Sequence, residues 1–179
     1  MGTLIRTASA ADAAQILAFI RALAIYERAA EGAVTATEDG LLRDGFGPNP
    51  FYQCLIAEHE GRPAGFALYF FNYSTWVGRP GIYLEDLFVL PELRGLGIGK
   101  ALLKKVAAVA VEKGCQRLQW EVLDWNTPAI EFYRAMGAEF LDEWRNVRLS
   151  GEALTQVADG GGGQAQTKAG QAEPTETAL

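Results

Sequence analysis

Two stretches of the chain carry residue types that could do chemistry. Glu85 and Asp86 interrupt an apolar run, Ile82-Tyr83-Leu84-Glu85-Asp86-Leu87-Phe88-Val89-Leu90. Carboxylates are costly inside an apolar strand, so the pair needs a reason to be there. It can hold an ammonium and accept its proton, directly or through water, because only the neutral amine can attack an electrophile. Its other reading is a structural ion pair with Arg or Lys. Beyond Pro91 comes Arg94-Gly95-Leu96-Gly97-Ile98-Gly99-Lys100, and apolar residues then recur at Ile98, Leu102, Val106 and Val109 with helical spacing. A strand, a glycine-rich turn and a helix in that order offer the unpaired N–H groups of a helix start to an anion such as phosphate. The same order also serves close packing of helix on strand. Two nucleotide fingerprints fail on their letters: Lys100 stands where a dinucleotide loop needs its third glycine, and Ala101 stands where a P-loop needs Ser or Thr.

These groups depend on the elements around them. Consecutive strand residues face opposite sides, so Glu85 shares a face with Tyr83, Leu87 and Val89, and Asp86 with Leu84 and Phe88. Both acids reach one cavity only if the strand is bulged or ends there. Upstream, Thr3 to Thr7 reads as a strand, and Ala13, Ile16, Leu17, Ile20, Leu23 and Ala24 mark one face of a helix that ends between Tyr26 and Ala30. Thr37, Glu38 and Asp39 open a short helix ending at Asp44-Gly45. Phe51 to Glu58 and Pro63 to Phe71 read as strands joined by a tight turn, and a loop over 72–81 carries Trp76. Gly114 ends the long helix, Arg117 to Leu123 reads as a strand, and Thr127 with Pro128 is the expected cap and first turn of a helix running to Met136 before Gly137. Ala138 to Leu141 and Arg145 to Leu149 are expected to complete the sheet.

With 179 residues, 49% hydrophobic and 21% charged, the chain is expected to form one globular domain over residues 1–157, followed by a low-complexity tail over 158–179. The tail, four consecutive glycines and then mostly Gln, Ala, Thr, Pro and Glu, is expected to be disordered because it cannot bury enough surface to offset chain entropy. A net charge of -6 argues against nucleic acid as a partner and favours small cations. No apolar run approaches a membrane span and Met1 to Arg6 lacks the features of a signal peptide, so no membrane association and a cytoplasmic location are expected. Cys54 and Cys115 read as buried free thiols, and His59, the only histidine, excludes a multi-histidine metal site.

The spacing of Arg94, Gly97 and Gly99 resembles the pyrophosphate loop of the GNAT N-acetyltransferases, which bind acetyl-coenzyme A. A second stretch, Asn126-Thr127-Pro128-Ala129-Ile130-Glu131-Phe132-Tyr133-Arg134-Ala135-Met136-Gly137, resembles the second signature of that family. Read alone, Phe132 and Tyr133 would be ordinary core aromatics. Further clusters are similar to the diamine N-acetyltransferase branch, which holds the spermidine/spermine enzymes and their thialysine-acetylating relatives: Tyr26-Glu27, Asp44-Gly45-Phe46-Gly47, Pro50-Phe51-Tyr52, Tyr69-Phe70, Trp76-Val77-Gly78, Tyr83-Leu84-Glu85-Asp86 and Trp125-Asn126. The resemblance spans residues 3–150.

The resemblance implies an α/β GNAT fold: a mixed, mostly antiparallel sheet, splayed where the fourth and fifth strands part to admit the cofactor, with helices on both faces. It implies acetyl transfer from acetyl-CoA to a primary amine of a small cationic substrate, polyamine-like or diamine-like, by direct attack and without a metal. Tyr133 would be the general acid, since a phenol of pKa ~10 can donate or share a proton with a departing thiolate whose conjugate acid has a pKa of ~8.5. Glu85 and Asp86 would hold and deprotonate the amine, with Glu27 as a further acid of its channel and Tyr26 and Trp76 as aromatic walls. The backbone of Leu87, Phe88 and Val89 would take the pantetheine arm as an added strand. The amides of Arg94, Gly95, Leu96, Gly97, Ile98, Gly99 and Lys100 would take the pyrophosphate, and Asn126 and Tyr133 would also touch the cofactor. Trp144, preceded by Asp142 and Glu143, resembles the branch's C-terminal Glu and Trp pair. The family also implies a homodimer.

Arg28 and alanines follow Glu27 where the polyamine enzymes carry more tyrosine and acid, which suits a shorter amine or a lysine-like or thialysine-like side chain. A non-catalytic acyl-CoA-binding module would need the anion loop but neither Tyr133 nor the carboxylates.

Overall fold

A computed structural model describes residues 2–161 of the chain, and the expected tail lies outside them from residue 162 on. The described residues fall into two compact units, one running to Phe132 and the other beginning at Tyr133.

The first unit is built on a five-stranded sheet whose spatial order follows the chain: β1 (Thr3–Thr7), β2 (Gln53–His59), β3 (Arg62–Ser74), β4 (Arg79–Val89) and β5 (Leu118–Gln119). The first four pair antiparallel, and β5 runs parallel to β4. The β2–β3 turn is tight because Glu60 and Gly61 both adopt positive φ, 52° and 77°, as a two-residue hairpin loop matching the strand twist requires. The β3–β4 hairpin extends farther than the sequence pattern indicates: Asn72, Tyr73 and Ser74 remain paired, opposite Gly81, Pro80 and Arg79.

After a short 3-10 turn at Ala10–Asp12 come α1 (Ala13–Tyr26) and α2 (Glu38–Phe46), and α3 (Ile98–Glu112) follows β4. Thr37 caps α2, its Oγ1 accepting the Gly40 N–H at 3.1 Å. Ile16, Leu17 and Phe19 of α1 and Leu41 of α2 pack on Cys54, Ile56, Phe66, Leu68 and Phe88, which the pairing places on one sheet face. Phe19 stacks on Phe66 with ring centroids 5.5 Å apart. The other face carries Leu55, Ala67, Ile82 and Leu84, and α3 buries Ile98, Leu102 and Val106. The expected α/β architecture, a mostly antiparallel sheet with helices on both faces, is the one observed.

Two expectations for strands need correction. The fifth strand is Leu118–Gln119 alone, not Arg117 to Leu123. Ala138 to Leu141 and Arg145 to Leu149 form no strand, although their alternation suits one. A strand needs a neighbour to take its backbone hydrogen bonds and bury one face, and Val147 and Leu149 remain 88% and 53% exposed. The second unit instead continues α4 (Thr127–Ala135) from Tyr133 and adds α5 (Glu152–Ala158). Gly137, at φ 84°, ends α4, and the N–H of Ala138 returns to the Tyr133 carbonyl at 3.1 Å. Among the described residues no helix is long and apolar enough to cross a membrane.

Candidate active site

A bulge in β4 determines where its acids point. Leu68 lies opposite Asp86 and Tyr69 lies opposite Leu84, so Glu85 is an extra residue with no partner on β3. Strict alternation would put Asp86 on the face of Leu84. The bulge moves it instead to the face of Tyr83 and Phe88, toward α1, and leaves Leu84 on the face shared with Val89. Asp86 is half-buried, and its carboxyl is pushed up to about 7, first by burial and then by the charges of Glu85 and Glu27. Glu27 follows the last residue of α1, and partial desolvation raises its carboxyl as well. Glu85 and Glu27, from two elements, are therefore within electrostatic reach of Asp86, and no Arg or Lys forms an ion pair with Asp86 among the described residues. The structural ion-pair reading of Asp86 does not hold.

Tyr83, on the same face, donates its hydroxyl to Glu121 Oε1 at 2.8 Å and stacks on Phe70 at 5.3 Å. Burial, Glu121 and then Glu85 raise its phenol. Glu121 was not legible as a site residue, because its approach to Tyr83 depends on the parallel pairing of Tyr83 with Gln119. Trp76 stands 90% exposed in the turn between β3 and β4. Trp144 lies in the second unit and is 66% exposed.

The far edge of β4 opens where β5 stops. The two strands pair at Ile82 with Leu118 and Tyr83 with Gln119, so β4 continues through Leu87, Phe88 and Val89 with no strand beside it on that edge among the described residues. The loop that follows turns on Gly95 and Gly97, at φ 79° and 78°, and Gly97 precedes the first turn of α3 with no side chain capping that turn. A Cβ at either position would meet only open space, so the requirement for glycine is conformational. The uncapped amides and the open strand edge suit a pyrophosphate and an extended amide-bearing arm, the parts of a coenzyme A thioester. The Arg94 side chain turns back: its Nε donates to the Val89 carbonyl at 3.1 Å, and its guanidinium lies 4.1 Å from the Tyr26 ring centroid.

Asn126, buried, caps α4. Its carbonyl accepts the N–H of Ile130 at 3.0 Å and its Oδ1 the N–H of Ala129 at 3.4 Å. The cap is thus one residue earlier than the Thr127 expected from the sequence. The Tyr26 hydroxyl donates to the same Oδ1 at 2.9 Å. Trp125 packs beside Tyr26 at 6.1 Å between centroids and carries the Arg28 guanidinium at 4.3 Å. Tyr133, on α4, is buried. Cys54 is buried on the core face and its thiol is pushed up to about 12, chiefly by burial, whereas Cys115 is only half-buried. Among the described residues no group of three His, Cys, Asp or Glu side chains converges as metal ligands would.

The profile of the Acetyltransferase (GNAT) family matches residues 19–138. Thialysine N-epsilon-acetyltransferase of Bos taurus is 47% identical over 166 residues, covering 87% of this chain and 96% of the relative. Spermidine/spermine N(1)-acetyltransferase-like protein 1 of Homo sapiens is 38% identical over 164 residues, covering 86% of this chain and 23% of that longer protein. Among solved structures, an integron cassette protein from the mobile metagenome of V. cholerae superposes with a TM-score of 0.73 at 28% identity, covering 88% of this chain and 98% of the other. The chain belongs to the GNAT acetyltransferase family, in the branch of the thialysine and spermidine/spermine acetyltransferases.

Proposed function

We propose that the protein transfers the acetyl group of acetyl-CoA to the terminal primary amine of a short cationic substrate, with a lysine-like or thialysine-like amino acid first and a polyamine or diamine second. The observation that carries this reading is the β4 bulge, which places Asp86 on the sheet face toward α1, where burial and then the charges of Glu85 and Glu27 push its carboxyl up to about 7. A carboxylate so placed attracts an ammonium and accepts its proton at physiological pH. The thialysine relative, matched over nearly its whole length, and Arg28 beside the site favour the shorter amine.

In this reading the ammonium binds among Glu27, Glu85 and Asp86, and Asp86 takes one proton. The neutral nitrogen attacks the thioester carbonyl, a C–N bond forms, and the C–S bond breaks with its electron pair on sulfur. Tyr133 gives its phenolic proton to the thiolate and recovers one from water, while the nitrogen releases its remaining surplus proton as the amide forms. Leu87 to Val89 and the loop from Arg94 to Lys100 hold the donor, with Asn126 beside them. Trp76 and Trp144 are assigned to the amine side by the family resemblance. A homodimer in the cytoplasm belongs to the same reading, and sedimentation and cell fractionation test those two points.

The deciding experiment follows coenzyme A release from acetyl-CoA with thialysine, lysine, putrescine and spermidine as acceptors. Faster release with the two amino acids than with the polyamines supports the first reading, and the reverse order supports the second. Tight acetyl-CoA binding without release for any amine would overturn both and leave a binding module.

A further inference from the structure

Tyr26 joins three stretches far apart in sequence. It is the last residue of α1, its ring lies under the Arg94 guanidinium at the start of the glycine loop, and its hydroxyl donates to Asn126 Oδ1, 100 residues away. The Asn126 side-chain amide meets two donors at one atom: the Tyr26 hydroxyl at 2.9 Å, and at 3.4 Å an Ala129 N–H whose shorter bond, 3.0 Å, goes to the Asn126 backbone carbonyl. The Ala129 N–H can only donate, so the atom it meets is the oxygen, and the Tyr26 hydroxyl supplies the second hydrogen to that same oxygen. With Oδ1 so engaged, the Nδ2 amino group is the end of the side chain left to donate elsewhere.

We propose that Tyr26 is a positioning residue of the acetyl-donor site: it locks the Asn126 amide with Nδ2 presented as a hydrogen-bond donor to a carbonyl oxygen of the acyl-CoA arm. This rests on the proposed acetyl-CoA reading and changes one part of it. Tyr26 then serves the donor and not the walls of the amine channel, since its hydroxyl is engaged by Asn126 and a guanidinium covers its ring. Its neighbour Glu27 lies within electrostatic reach of Asp86, so one helix end addresses the amine through Glu27 and the thioester through Tyr26. Without the hydroxyl, the Ala129 contact at 3.4 Å is the remaining restraint on the amide, which is then free to turn.

The test measures acetyl-CoA binding by calorimetry, separately from turnover, in the wild type, Tyr26→Phe, Asn126→Ser and the double variant. Phe keeps the ring under Arg94, and Ser keeps a helix-capping oxygen while removing the amide donor. Tyr26→Phe is expected to weaken acetyl-CoA binding about 5- to 20-fold, the size of one hydrogen bond, with the Michaelis constant of the amine within about twofold of wild type. The double variant should lose no more than the larger single loss. The side-chain amide NMR signal of Asn126 should shift on acetyl-CoA addition in the wild type and much less in Tyr26→Phe. Additive losses, or a raised amine Michaelis constant with unchanged acetyl-CoA affinity, would overturn the proposal. Failure of the wild type itself to bind acetyl-CoA would overturn the functional reading instead, which keeps the two apart.

Discussion

Asp86 of β4 lies opposite Leu68 of β3 because Glu85 is an unpaired extra residue between Leu84 and Asp86. The bulge sets the local twist and aims both acids. Deleting Glu85 would leave a regular ladder with the same flanking pairs, whereas Glu85→Ala keeps the bulge and removes only the carboxylate. The deletion is expected to retain the circular dichroism spectrum and acetyl-CoA binding but to turn over the amine about tenfold more slowly than Glu85→Ala. Because Asp86 stays opposite Leu68 in both variants, equal rates in steady-state assays would show that the extra twist at the bulge is irrelevant to catalysis.

Asp86 links activity to stability through pH. Its carboxyl lies near 7 in the folded protein against an ordinary 3.8, mainly because burial opposes its charge. Between those values the folded state keeps a proton that the unfolded state has lost, so stability falls as pH rises from about 4 to 7. The cost is complete above that window and amounts to at most about 4 kcal/mol, at roughly 1.4 kcal/mol per pKa unit. Asp86→Asn should therefore be more stable than the wild type at pH 8 and lose that advantage toward pH 4, as urea titrations at both values would reveal. The same ionisation is the one catalysis needs. The rise of kcat/KM for the amine through about pH 7 should vanish in the variant, and its persistence would assign the base elsewhere.

Tyr133→Phe separates proton donation from binding. A general acid contributes on the order of 10²- to 10⁴-fold, so kcat should fall within that range while acetyl-CoA affinity changes by less than about threefold. Single-turnover kinetics with unchanged kcat would remove the role assigned to the phenol.

Two glycines differ in what a methyl group would do. At Gly97 a Cβ meets open space, but its φ of 78° disfavours any side chain, so Gly97→Ala should cost about 1–2 kcal/mol of stability and loosen the start of α3. At Gly65 a Cβ runs into the Phe88 carbonyl on the neighbouring strand, a backbone atom that cannot step aside. Gly65→Ala should destabilise by about 1–3 kcal/mol and leave coenzyme affinity near normal in the folded fraction. Thermal melts paired with acetyl-CoA titrations check both, and the two variants should rank in opposite order in the two assays.

Local chemistry settled much of this protein from its letters. The helices of the first unit follow from apolar spacing, with their ends punctuated by Thr37, Gly97 and Gly114, and the β2–β3 turn from Glu60-Gly61. The glycine loop was legible because positive φ and a helix start are properties of a few adjacent residues. The Asn126 cap was displaced by one residue for the opposite reason, since Asn and Thr compete for the same role and only the fold chose between them. Sequence alternation could state that Glu85 and Asp86 needed a bulge to share a cavity, but the register of β3 against β4 decided that one was there. Likewise, the Tyr26 contact with Asn126 and the approach of Glu121 to Tyr83 join residues remote in sequence, which no local propensity encodes. The alternating segments after Gly137 complete the lesson: a strand is a relation between two segments, and a pattern without a partner to take its backbone hydrogen bonds remains only a pattern.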